Sequence, residues 1–569
     1  MENAKYMFID GMPVAIEGEK NLLELIRKAG IDLPTFCYYT ELSVYGACRL
    51  CMVENKWGGI DAACSTPPKA GSEVFTNTEK LRKHRKMILE LILSHHCRDC
   101  TTCQKNGSCK LQELAMRFGI ERVRFQNTAP EPELDESSPA IVRDRSKCIL
   151  CGDCVRMCDE VQAVGAINFA HRGSNLVIAT AFDKPIAQSA CVGCGQCAAV
   201  CPTGAIVVRD DRKRVWAALS DKSARVVAQI APAVRVAVGK AFGIKDGENA
   251  LGRIAAALRR MGFDEVFDTA TGADLTVLEE SAELLSRLES GERLPLFTSC
   301  CPSWVQYVER FHPELMPNVS TCRSPMQMFA SIIKDQPASA GRRIVHVAVM
   351  PCTAKKAEAV REEFIKDGVP MVDVVITTQE LIQMIRESGL IYPELEPEAV
   401  DAPFSSMTGA GVIFGVTGGV TEAVIRRLMP DKSARAMQEI AFRDVRGMKG
   451  IKETTLDYGD RTLKIAIVSG LGNAEALIQR IQAGEHYDFV EVMACPGGCV
   501  AGAGQPFGTF GDKAARGKAL YSADRQITIR RSEENPLMRT LYSETLKGRV
   551  HEMLHVHYAP REEEFHDHD

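Results

Sequence analysis

Sixteen of the 22 cysteines in this 569-residue chain stand before residue 210, and the 360 residues that follow hold only six. The opening MENAKYMFIDGMPV has neither a charged head leading into a long apolar run nor a twin arginine, so no export route is indicated and a cytoplasmic location is expected. Thiols kept in a reducing compartment remain available as metal ligands, which makes a disulfide framework the weaker reading. No stretch of 18 uninterrupted apolar residues is present, so no membrane span is expected. A formal net charge of -5 lacks the basic excess that would neutralise phosphates, which argues against a nucleic-acid partner. The length exceeds what one hydrophobic core supports, and 45% hydrophobic with 25% charged residues fits several globular units.

The early cysteines fall into four groups. Cys37, Cys48, Cys51 and Cys64 accompany strand-like YMFID and PVAIEG and a helix-like NLLELIRKAG, a pattern similar to a β-grasp ferredoxin. Four thiolates, one distant in sequence, suit a [2Fe–2S] cluster, with zinc as the alternative and with a first gap unlike the plant-type spacing. His96, Cys100, Cys103 and Cys109 follow the helical EKLRKHRKMILELILSHH; alone they suit zinc. In this setting H-x3-C-x2-C-x5-C resembles the His-ligated [4Fe–4S] site of iron-only hydrogenases and of the large iron–sulfur subunit of respiratory complex I. The neighbouring His95 and Cys97 keep the ligand choice open, Cys97 being read as a spare thiol. The third and fourth groups are an internal repeat, Cys148-x2-Cys151-x2-Cys154-x3-Cys158 and Cys191-x2-Cys194-x2-Cys197-x3-Cys201-Pro202. In such runs three cysteines hold one cubane and the fourth reaches the other, as in a bacterial two-[4Fe–4S] ferredoxin. That predicts Cys148, Cys151, Cys154 and Cys201 at one site, and Cys191, Cys194, Cys197 and Cys158 at the other.

After residue 210, β-branched runs alternate with amphipathic stretches, which predicts an α/β domain with parallel strands. The runs are AVRVAVG, RLPLFTS, HVAVMP, LKIAIVS and FVEVMA, and three of them end at Cys300 with Cys301, at Cys352 and at Cys495. Ligand sites in open α/β sheets collect beyond the carboxyl ends of strands, so these thiols, with Cys499 close behind, could share a pocket.

Three segments carry a closer likeness: TSCCPSW (298–304), MPCTAKKAE (350–358) and EVMACPGGCVAGAGQP (491–506). Together with the four early groups, they are similar to the signatures of iron-only hydrogenases, in that family's order. The resemblance implies a multidomain α/β and α+β chain: a [2Fe–2S] unit over 1–78, a [4Fe–4S] unit with one histidine and three cysteine ligands over 79–138, a two-[4Fe–4S] unit over 139–209, and a catalytic domain over 210–569. It implies an H-cluster, a cubane joined to a diiron unit that carries CO, cyanide and a dithiolate amine, with hydrogen interconverted with protons and electrons. Cys301, Cys352, Cys495 and Cys499 would hold the cubane, Cys499 bridging. Lys355, paired with Glu358, would donate to a cyanide; Met350, Met493, Ser299, Pro351 and Gln505 would border the cofactor. Cys300, Glu280, Ser320 and Glu283 would relay protons, with Arg287 near the exit. Read alone, Lys355 is a solvated cation, the methionines are core filler, and Glu280 with Glu283 is the wet face of a helix.

Two positions depart from the family pattern: Ala503 stands where a glycine is expected, and Met326 where glutamine is common. Cys322 is read as a buried inert thiol, Gly470-Leu471-Gly472 as a plain β–α turn since Glu475 replaces the third glycine, and the terminal histidines as solvated. The implied partners are ferredoxin or flavin NAD(P)H-oxidising subunits in an oligomer or hetero-complex, and maturation proteins. The rival readings are a complex I-type electron-transfer subunit and a hydrogen-sensing or assembly homologue.

Overall fold

In the computed structural model, residues 5–126, 134–245, 247–337, 341–431, 433, 445–508 and 510–558 are described. The chain begins with a five-stranded sheet in the order Met12–Ala15, Tyr6–Ile9, Glu73–Phe75, Met52–Asn55, Ile60–Ala62. Asp10 and Gly11, both at positive φ, make the tight turn that pairs the first two strands, and only glycine adopts such a conformation without strain. The helix Leu22–Lys28, capped by Asn21, lays Leu22, Leu23, Leu25 and Ile26 against this sheet.

The next helix, Glu79–His95, starts at a Thr78 cap and fastens the second unit to the first, with Leu81 in the core of the first sheet and Leu89 against Phe36 and Leu50. Arg85 is buried and donates to Leu50 O, Met52 O and Thr76 O at 2.7–3.1 Å, next to the Cys48–Cys51 loop. Hydrogen bonds from a charged donor contribute about 1.5–3 kcal/mol each, so this arginine sets the joint more firmly than surface ion pairs do. The repeated cysteine runs fold alike: Gly152 (φ 77°) and Gly195 (φ 67°) each precede a short helix, Asp153–Arg156 and Gln196–Val200.

The remaining residues build two four-stranded sheets. The first, in the order Glu265–Asp268, Ala224–Ile230, Arg343–Met350, Val374–Thr377, is parallel throughout. The second runs Leu296–Phe297, Phe489–Met493, Arg461–Ser469, Ile451–Tyr458, with only its last pair antiparallel. The helix Ala270–Ser290 bridges them: Leu275 packs with Phe267 and Phe329 near the first sheet, while Leu284 and Leu288 pack with Ile465, Ile467 and Phe489 of the second. Glycine is required at its start, since a Cβ on Gly272 would stand 2.1 Å from the Pro325 carbonyl.

One expected strand is absent. AVRVAVG does not extend; the strand is the preceding Ala224–Ile230, and Val234–Val236 form a 3-10 turn after Pro232. Its residues are apolar because they are buried among Leu520, Val412 and Val500, and a short apolar run alone does not separate strand from buried turn. Gly470 is, as expected, a β–α turn between Arg461–Ser469 and Leu471–Gln482. Its Glu475 accepts from Tyr307 Oη and meets His312 Nε2 at 2.7 Å. Among the described residues no helix is long and apolar enough to cross a membrane.

Candidate active site

Strand ends, helix starts and one loop of the two sheets surround a cavity whose wall includes Cys300, Cys301, Cys352, Cys495 and Cys499. These thiols are brought from three places by topology. Cys300 and Cys301 follow Leu296–Phe297, Cys352 follows Arg343–Met350, and Cys495 follows Phe489–Met493, so the carboxyl ends of three strands from two sheets deliver them. The Ala494 N–H lies 3.5 Å from Cys301 Sγ, which ties two of the segments together. Met326, Met350, Pro351, Met493 and Lys355 also line the wall. Lys355 Nζ donates to Glu358 Oε2 (2.8 Å) and to Cys300 O (3.3 Å), and Ser324 Oγ holds the same carboxylate oxygen at 3.0 Å. It is therefore no solvated cation: Lys355 is 8% and Glu358 2% exposed.

Burial raises every one of these thiols whose shift is resolved. Cys352 is pushed up to about 11, and Cys300 and Cys495 are held well above the ordinary thiol range. Four thiolates in so dry a place need compensating positive charge, which bound iron supplies by deprotonating its ligands outright. No three His, Cys, Asp or Glu groups among the described residues close to the shell of a single ion. The donors instead ring a large space, so their chemistry and spread fit an iron–sulfur group with an attached unit.

The two repeated cysteine runs also bring thiols together. Cys148, Cys151, Cys154 and Cys201 line a second cavity. Cys158 lies among Cys191, Cys194 and Cys197, each raising its neighbours' affinity for a proton. In the first unit Cys37, Cys51 and Cys64 are buried, with Cys48 donating its N–H to Cys37 Sγ at 3.3 Å. In the second unit the structure separates the two histidines. His95 is exposed, whereas both ring nitrogens of His96 are buried with no hydrogen-bond partner, so the donor chemistry at this position fits a metal site better than His95 does. Cys97 turns to Asp99 Oδ2 at 3.3 Å.

Three apolar clusters join these sites end to end. Cys37, Cys48, Cys109 and Cys151 border one with Leu50, Leu89 and Leu111. Cys148, Cys154, Cys158, Cys191, Cys197 and Cys201 border the next. Cys158, Cys191, Cys194 and Cys301 border the third, around Trp304 and Ala494. Polar contacts reinforce the last joint: Thr353 Oγ1 donates to Gly193 O (2.8 Å), and Gln196 Nε2 donates to Ala501 O (3.3 Å) and favours the ionised form of Cys495. Ala503 belongs to this joint, since a Cβ on Gly195 would meet its methyl at 2.9 Å.

Behind Cys300, the acids lie on one helix face. Glu280 is fully buried; burial and the neighbouring Glu283 push it up to about 8, so it holds a proton at neutral pH. Its Oε1 accepts from Ser299 N–H at 3.4 Å, and its Oε2 has no partner. Ser320 Oγ donates to Glu283 Oε2 (2.7 Å), and Arg287 Nη2 donates to Glu283 Oε1 (2.5 Å). Arg287 is 7% exposed, and its guanidinium also serves the carbonyls of Arg293, Pro317, Asn318 and Val319, so it braces the loop rather than opening onto solvent. Ser299 and Gln505 stand behind the wall, their side chains donating to Cys322 O (2.6 Å) and Ala233 O (2.8 Å). Cys322, buried as expected, has its Sγ 3.9 Å from Glu283 Oε2.

The terminal histidines divide. His551 and His557 are exposed, and His566 and His568 lie outside the described residues. His555 is not solvated: its Nε2 is 3.0 Å from Glu279 and its Nδ1 2.9 Å from Thr321 Oγ1. Sequence spacing gives no sign of this, because Glu279 and His555 are 276 residues apart.

A multi-sheet domain whose thiols converge on one cavity, with further groups of cysteines leading to it, defines an iron–sulfur oxidoreductase. Residues 224–503 match the iron only hydrogenase large subunit, C-terminal domain, and 512–561 the iron hydrogenase small subunit. Residues 6–79 match a 2Fe-2S cluster binding domain, 85–124 the NADH-ubiquinone oxidoreductase-G iron-sulfur binding region, and 147–210 a 4Fe-4S dicluster domain. The chain is 40% identical to the NADP-reducing hydrogenase subunit HndD of Solidesulfovibrio fructosivorans, covering 97% of this chain and 98% of the relative. It is 33% identical to iron hydrogenase 1 of Clostridium pasteurianum over 97% of this chain and all of that one. The solved structure of a variant of apo [FeFe]-hydrogenase HydA1 from Chlamydomonas reinhardtii is similar at 40% identity and a TM-score of 0.54, covering 62% of this chain and 99% of that one. The chain belongs to the iron-only hydrogenase family.

Proposed function

We propose that this chain interconverts dihydrogen with protons and electrons. The observation that carries the reading is the meeting of Cys301, Cys352, Cys495 and Cys499 on one cavity, with Cys300 beside them and an unbroken file of thiols leading away. The four would hold the cubane of an H-cluster, Cys499 bridging to the diiron unit; making or splitting dihydrogen is the chemistry that this group supplies when bound. The protein contributes the rest. Lys355, fixed by Glu358, offers an N–H donor at the wall; Met326, Met350, Pro351 and Met493 exclude water. Cys300, protonated Glu280, Ser320 and Glu283 pass protons, with Arg287 holding the outer carboxylate.

Electrons reach Cys301 through the sites of Cys191, Cys194, Cys197 and Cys158, then Cys148, Cys151, Cys154 and Cys201. Beyond these lie His96 with Cys100, Cys103 and Cys109, and a [2Fe–2S] site of Cys37, Cys48, Cys51 and Cys64. We divide the chain into units over 1–78, 79–138, 139–209 and 210–569, a division supported by matches over 6–79, 85–124, 147–210 and 224–503, and the five-stranded sheet with the helix Leu22–Lys28 packed on it supports a β-grasp ferredoxin at the start. The chain works in the cytoplasm as the catalytic subunit of a ferredoxin- or NAD(P)-linked hetero-complex; the likeness to a subunit named NADP-reducing supports that partner class. Infrared spectroscopy of protein matured with its assembly factors tests the reading. Metal-bound CO and cyanide bands should appear together with dihydrogen evolution from reduced viologen, and a matured, iron-replete protein with neither would refute it.

A further inference from the structure

The outer end of the acid file is covered by chain from the far C-terminus. Arg323 N–H donates to Leu554 O (2.8 Å), Val556 N–H donates to Thr321 O (2.7 Å), and Cys322 and His555 form an antiparallel bridge. The segment is a strip of sheet laid over the loop that carries Ser320. Arg323 Nε clamps its edge by donating to His555 O at 2.9 Å.

Between the two strips sits His555, bonded at both ring nitrogens. Nε2 lies 3.0 Å from Glu279 Oε2 and Nδ1 lies 2.9 Å from Thr321 Oγ1, while Tyr542 Oη donates to the other oxygen of Glu279. An acidic acceptor on Nε2 assigns the proton to that nitrogen, which leaves Nδ1 to accept from the threonine hydroxyl. Thr321 is thereby held from one side. From the other, its backbone N–H donates to both oxygens of Glu283, at 3.1 and 3.3 Å, alongside the Ser320 hydroxyl at 2.7 Å.

We infer that His555 is a positioning residue for proton transfer: through Thr321 it fixes the amide that, with Ser320, aims the Glu283 carboxylate along the file. This rests on the relay proposed above. A side chain that served only to anchor the tail would need no second bond, since the Leu554–Val556 strip already makes three backbone-level contacts. Nor would it need to contact the one residue whose amide spans both oxygens of a relay acid. Proton transfer between hydrogen-bonded groups depends steeply on their alignment, whereas bulk packing does not.

The test uses the full-length matured enzyme. His555→Ala should slow dihydrogen evolution by about tenfold and at least double the solvent deuterium effect on turnover, while the CO and cyanide bands stay in place. Thr321→Val, which keeps every backbone bond of the strip, should reproduce the defect, and His555→Gln, whose amide can span the same two partners, should restore most of the rate. Wild-type turnover and isotope effect in Thr321→Val would overturn the proposal, as would slow turnover with an unchanged isotope effect in both variants. Glu283→Gln is measured alongside: if it turns over normally, the relay itself falls and this inference with it; if it is slow while His555→Ala and Thr321→Val are not, only the inference falls.

Discussion

The two ends of the molecule collect sulfur in opposite ways. Before residue 210 a site is written almost locally: three cysteines at three-residue intervals, a left-handed Gly152 or Gly195, and one turn of helix bring the donors together. Beyond it, Cys301, Cys352, Cys495 and Cys499 reach one cavity only because parallel strands from two sheets end there. A locally built site tolerates damage elsewhere and serves to conduct. A site assembled by the whole fold excludes water and presents Lys355, Cys300 and the methionines in register, which a reaction centre requires.

The difference predicts unequal costs. Cys499→Ser removes a donor from the assembled cavity and should abolish turnover, a loss of at least about a thousandfold if the group it holds supplies the bulk of the acceleration, together with about four to six iron atoms per chain by metal analysis, the content of a cubane with or without its diiron unit. Persisting evolution near the wild-type rate would dissolve the contrast. Cys300→Ala leaves the donors intact and should keep the infrared bands while turnover falls by about 10²- to 10⁴-fold, the usual scale for a general acid or base. Full activity in that variant would leave the cavity without its proton relay. In the local half, His96→Ala should lose one cluster's iron yet slow viologen-driven evolution by no more than about threefold, because viologen can also reach the chain at other clusters. A loss as deep as that of Cys300→Ala would mean that His96 guards a step the whole file depends on.

The same contrast explains what is legible in the sequence. The helices Leu22–Lys28 and Glu79–His95 and the β–α turn at Gly470 rest on short-range pattern, and the structure has them where that pattern puts them. AVRVAVG misleads because burial, and not pairing, makes it apolar. His555 reads as a wet tail residue because its partners lie 234 and 276 residues away. Motif position gives Arg287 no contacts, whereas the structure has its guanidinium on four carbonyls of the loop beside Glu283.

Between the two halves stands a joint that belongs to neither pattern. Gln196 comes from the local half, one residue before Cys197, yet its amide donates to Ala501 O of the assembled half at 3.3 Å and favours the ionised form of Cys495, and it is 4% exposed. Donors to a cluster sulfur favour the more negative, reduced state, so they raise its reduction potential. Gln196→Leu conserves volume and removes the donor. It should leave iron content and bands unchanged, and it should move the potential at which the cubane of Cys301, Cys352, Cys495 and Cys499 is reduced to a more negative value. Redox titration followed by the infrared bands of the diiron unit reads this directly, since those bands respond to charge on the neighbouring cubane. An unmoved potential would mean that the halves meet by packing alone, through Val192, Trp304 and Ala494, and that no polar contact across the joint tunes the site it feeds.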